Sequence, residues 1–74
     1  MNLQNRLKDV RLQRELTQEV LAEAVGVTRQ TIIAIEKEKF VPSVKLALEL
    51  ARALDVSLDD LFWLGSGKGK GRTK

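Results

Sequence analysis

Few residues in this chain could make or break bonds. There is no histidine and no cysteine, so the commonest general base, the thiolate nucleophile and the usual zinc ligands are all missing. Asp59 and Asp60 are adjacent carboxylates, but helix neighbours one residue apart point in different directions, and no His, Lys or metal-ligand set accompanies them. Two acids just after Ser57 fit a helix start, where the macrodipole favours negative charge. The chemistry that remains is recognition. Arg6, Lys8, Arg11 and Arg14 lie early and Arg29, Lys37, Lys39 and Lys45 midway, with Glu19, Glu23, Glu49, Asp55, Asp59 and Asp60 elsewhere. Segregation of this kind predicts a dipolar surface with one face suited to a polyanion. No enzyme activity, cofactor or metal is expected.

The net charge of +3 does not itself mark a basic domain. Residues 65–74, GSGKGKGRTK, hold Lys68, Lys70, Arg72 and Lys74 and no acid, whereas residues 1–64 carry nine basic and ten acidic side chains, a net of −1. The reading is therefore one domain over residues 1–64 and a disordered basic tail over 65–74. No apolar run approaches the 18 residues that span a bilayer, and Met1 to Val10 is charged where a signal peptide needs an apolar stretch. A soluble, cytoplasmic protein without a membrane partner is expected.

The periodicity is helical. Leu3, Leu7 and Val10 recur at spacings of four and three, as do Leu46 and Leu50 with Ala47, Ala51 and Leu54. Helix starts are marked by a repeated device: an apolar residue, a Ser or Thr cap, and an apolar residue four positions after the cap. It occurs as Leu16-Thr17 with Leu21, Val27-Thr28 with Ile32, and Val56-Ser57 with Leu61. Pro42-Ser43 stops one helix and begins another. These signals predict an all-α fold of five helices, over residues 3–14, 18–25, 28–37, 44–54 and 58–64. The connections are short enough to force a compact bundle.

Helices two and three are each under three turns and are joined by Gly26-Val27, the pattern of a helix-turn-helix whose second helix can enter a DNA major groove. The segment Thr17 to Lys39, TQEVLAEAVGVTRQTIIAIEKEK, closely resembles the helix-turn-helix of Cro/C1-type, phage-repressor-like transcriptional regulators. The likeness continues through FVPSVKLALELARALDVSLDDLF and so covers about residues 3–62. It implies a five-helix lambda-repressor-like domain. Ala22 is small where helix three crosses helix two, Gly26 can take a positive φ, and Val27, Ile32 and Ile35 close the core beneath helix three. Arg29, Gln30, Ile33, Ala34 and Lys37 fall on the opposite face.

The resemblance implies that Arg29, Gln30, Ile33 and Ala34 read bases, with Arg suited to guanine, Gln to adenine and the apolar pair to a thymine methyl. It implies backbone contacts for Gln18, whose amide lies at a helix N-terminus, for Thr28, and for Lys37, Lys39 and Lys45. It also implies that Arg11 pairs with Glu36 to orient the third helix. Relatives usually have Gly where this chain has Glu15 and Glu38, at helix ends that need a left-handed residue. The last predicted helix crowds Leu58, Leu61, Phe62, Trp63 and Leu64 together. The family's last helix commonly forms a homodimer contact, for which Trp63 and Leu64 are the candidates.

These readings converge on a sequence-specific regulator of transcription, a repressor binding double-stranded DNA as a homodimer on a palindromic operator. A small-molecule effector is not expected in a bare domain. Two alternatives fit the same residues: the antitoxin of a toxin-antitoxin pair, and a helical protein-interaction module that uses the Leu/Phe/Trp surface.

Overall fold

A computed structural model describes residues 2–65 of the chain. The elements run β1 (Asn2–Asn5), α1 (Leu7–Gln13), α2 (Gln18–Val25), α3 (Arg29–Glu36), α4 (Val44–Leu54), α5 (Leu58–Leu61) and β2 (Phe62–Gly65). The five helices gather around one core whose fully buried side chains are Leu7, Leu21, Ile32, Ile35, Leu50, Leu54 and Leu61. No helix among the described residues is long and apolar enough to cross a membrane.

The predicted capping device works at every place it occurs. Thr17, Thr28 and Ser57 each accept the backbone N–H three residues on, from Val20, Thr31 and Asp60, and Ser43 does the same for Leu46. Each satisfies an orphan donor of a first turn and contributes about 1 kcal/mol. Leu16, Val27 and Val56 pack against the core beside the buried Leu21, Ile32 and Leu61, completing the staples.

Four helices also end alike. At Glu15, Gly26, Glu38 and Asp55 the backbone is left-handed, with φ of 59°, 76°, 62° and 59°. The N–H of the following residue then reaches back to the last turn, Leu16 to Arg11, Val27 to Ala22, Lys39 to Ala34 and Val56 to Ala51, at 2.8 to 3.1 Å. This is the arrangement that normally favours glycine. Glu15 and Glu38 therefore keep the turn and carry its strain, of the order of 1 kcal/mol each.

Both ends of the domain differ from the helical expectation. Residues 3–5 are not the start of the first helix, and residues 62–64 are not the end of the last. They are strands, paired antiparallel with Leu3 opposite Leu64, Gln4 opposite Trp63 and Asn5 opposite Phe62. The spacing of Leu3, Leu7 and Val10 misleads because the strand delivers Leu3 to the same core that Leu7 and Val10 enter from α1. Asn5 decides where α1 begins: its Oδ1 accepts the N–H of Leu7 at 2.9 Å, so the chain turns into the helix only there. A two-stranded pair is marginal alone, and this one holds because Phe62 is buried beneath it. Gly65 closes β2; the remainder of the predicted tail, residues 66–74, lies outside the described residues.

Candidate nucleic-acid interface

α2 and α3 pack through Leu21, Ala22, Ile32 and Ile35, all buried, with the left-handed Gly26 turning the chain between them. This packing dictates what α3 shows outside. Gln30, Ala34 and Lys37 form a row one helical turn apart on the side away from Ile32 and Ile35, with Ile33 beside it. Gln30 and Lys37 are exposed, and Ile33 and Ala34 half-buried. The row has an amide at one end, a short apolar centre and an ammonium at the other.

Arg29 stands on the flank of that row. It lines an open cleft of about 700 Å³ together with Arg11, Thr17, Gln18, Glu19 and the end of α1. The N-terminus of α2 faces the same cleft, so amide dipoles and guanidinium offer a place for an anion, while Glu15 and Glu19 at its edge limit the positive potential. Thr28 is exposed, but its hydroxyl is engaged as the α3 cap and lies 3.1 Å from the Thr31 hydroxyl. Lys37 and Lys39 are exposed on either side of Glu38. Lys45 is further along, on α4, where it pairs with Glu49 at 3.4 Å.

Three of the four early basic residues are engaged within the fold. Arg6 donates to the carbonyl of Asp60, and Arg14 to those of Leu54 and Asp55, so both tie down the ends of α5 and α4. Arg11 is buried. Its Nε donates to Glu36 at 2.7 Å and a terminal nitrogen donates to the Leu16 carbonyl at 2.8 Å. The two side chains are only 7% and 6% exposed, so this pair lies inside the protein as the resemblance implied.

Two contacts were not foreseen in the sequence. The Gln18 amide donates to the other oxygen of Glu36 at 3.1 Å, so one carboxylate joins α1, α2 and the end of α3. The Asn5 amide donates to the Ile35 carbonyl at 2.9 Å, linking β1 to that same last turn. Asn5 stands two residues before Leu7, ahead of Arg6 at the N-cap position, and nothing local marks it as a partner of Ile35. Nothing local marks Gln18 as a partner of Glu36.

The apolar C-terminal surface is also smaller than expected. Leu61 and Phe62 are buried and Leu58 packs against the core, while Trp63 is half-buried and Leu64 stays 67% exposed. Trp63 and Leu64 lie on β2, not on a helix.

Comparison with known proteins agrees with this architecture. A family model for the helix-turn-helix matches residues 7–61. An uncharacterized HTH-type transcriptional regulator of Bacillus subtilis, YgzD, is 47% identical over 84% of this chain and 94% of its own length. One from Methanocaldococcus jannaschii is 52% identical over 81% of this chain and 91% of its own. The solved structure of the restriction-modification controller protein C.AhdI from Aeromonas hydrophila superposes with a TM-score of 0.69 at 31% identity, covering 73% of this chain and 78% of that one. The chain belongs to the Cro/C1-type helix-turn-helix family of DNA-binding transcriptional regulators.

Proposed function

We propose that this protein is a sequence-specific transcriptional repressor that binds a roughly palindromic operator as a homodimer in the cytoplasm. The observation that carries the reading is the outward row of α3, with Arg29 on its flank and the α2 N-terminus beside it. Inserted in a major groove, Arg29 and Gln30 address base edges from the first turn, and Ile33 and Ala34 meet a thymine methyl. Gln18, Thr28, Lys37, Lys39 and, at the margin, Lys45 hold the flanking phosphates. The four basic residues between 66 and 74 add sequence-independent attraction.

One domain covers too few base pairs for useful discrimination, so a second copy is required. The exposed Leu64, next to Trp63 on β2, supports a dimer contact there. Occupancy of a promoter by such a dimer suffices to repress. The kinship with regulators and the likeness to a restriction-modification controller support the regulatory role.

Selection from a random duplex library tests the proposal. The outcome expected is a two-fold symmetric consensus with half-sites about 10 base pairs apart, one turn of B-DNA. Recovery of unselected sequences would remove the operator reading.

A further inference from the structure

We infer that Gln18 is a specificity-determining positioning residue as well as a phosphate contact: its amide transmits the hold on the DNA backbone to the orientation of α3. The inference rests on the regulator reading above and deepens the role of one residue within it.

Gln18 is the first residue of α2 and lines the cleft beside Arg29 and Thr17, where the backbone is proposed to pass. Its Nε2 carries two hydrogens. One is committed to Glu36 at 3.1 Å; the other remains for an acceptor outside. Glu36 is the last residue of α3, and its side chain is buried. The same carboxylate is gripped from behind by Arg11 at 2.7 Å. A phosphate that accepts the second Gln18 hydrogen fixes the amide plane, and with it the direction of the bond to Glu36. Arg11 lines the same cleft and also bonds Glu36, but its side chain is buried, so Gln18 is the more accessible of the two links from the cleft to the end of α3. The bond accepted by Glu36 is charge-assisted, the class of hydrogen bond that constrains geometry most.

Lys37 and Lys39 differ in this respect. Their N–H groups bond α3, but their exposed ammonium groups make no hydrogen bond or ion pair to it, so their phosphate contacts anchor the domain without aiming the helix. Gln18 is neutral and its removal releases no counterion, which separates its signature from theirs.

The test measures affinities of wild type, Gln18→Leu and Gln18→Lys for the selected operator and for a scrambled duplex, over a salt series, with melting temperatures recorded alongside. Leucine preserves bulk and removes both donors. We expect the ratio of operator to scrambled affinity to fall about fivefold to tenfold in Gln18→Leu, with the salt slope nearly unchanged and the melting temperature lowered, because a bond to a buried carboxylate is lost. Lysine restores a donor to Glu36, so Gln18→Lys keeps most of the ratio while its slope steepens by about one. Equal losses on both duplexes in Gln18→Leu would overturn the positioning role and leave a plain phosphate contact. If Gln18→Leu melts too low to assay, Gln18→Lys decides alone, since a ratio that collapses with lysine in place also overturns the inference. A wild type without preference for any duplex would fail the regulator reading itself, a result distinct from either variant's.

Discussion

The side-chain amide of Asn5, at the end of β1, donates to the backbone carbonyl of Ile35, in the last turn of α3, across 2.9 Å. With its other end Asn5 accepts the N–H of Leu7, so one side chain starts α1 and fastens the outward-facing helix to the terminal strands. α3 is thus held at its C-terminal turn by side chains from β1, α1 and α2, whereas its N-terminal turn relies on its own cap, Thr28. Such a helix is fixed from behind and open in front.

Asn5→Ala removes both bonds and leaves the Leu7 N–H without its cap. The expected cost is about 1 to 3 kcal/mol, read as a lowered urea midpoint with an unchanged m-value. A loss below a few tenths would mean that water replaces the amide without penalty.

The left-handed turns give stability predictions of opposite sign. Glu15→Gly and Glu38→Gly relieve strain at φ near +60° and should each stabilise by up to about 0.5 kcal/mol, after the greater unfolded-state entropy of glycine. Gly26→Ala introduces strain at φ 76° but no collision, because a Cβ there meets nothing within 4 Å. It should therefore cost only about 1 to 2 kcal/mol. Thermal melts of the three variants check the set, and a destabilised Glu38→Gly would assign that glutamate a role beyond the turn.

The interior of the bundle was legible in the sequence because its signals are local. Thr17, Thr28 and Ser57 cap helices from neighbouring positions, and Leu21, Ile32 and Leu50 follow the helical period. The terminal strands were not, because each exists only through the other. Asn2–Asn5 and Phe62–Gly65 are separated by most of the chain, and Leu3 happens to continue a helical spacing. The outward residues of α3 could likewise be read from its period. Gln18 and Glu36 could not be joined in that way, since their contact depends on how α2 crosses α3.

Lys37 and Lys39 are expected to hold phosphates without reading sequence. Each Lys→Ala change should weaken operator and scrambled duplexes alike and lower the salt slope by about one. A changed base preference with an intact slope would transfer that lysine to the reading face.

Leu64→Glu probes the proposed dimer contact. At 67% exposure Leu64 contributes little to the core, so the fold should survive while a charge enters the apolar contact between copies. Sedimentation is expected to show a dimer for wild type and a folded monomer for the variant. A variant that stays dimeric places the contact elsewhere.

The central claim is that the exposed start of α3 reads bases, and competitive binding of the wild type and of Arg29→Ala, Gln30→Ala and the double variant tests it most directly. The selected operator, its single-base variants and a scrambled duplex are compared at one salt concentration. The account predicts that each single change costs about 1 to 3 kcal/mol on the operator and relaxes preference at one base position, with affinity for scrambled DNA reduced far less. Undiminished preference in the double variant, on a protein that still melts like wild type, would contradict it.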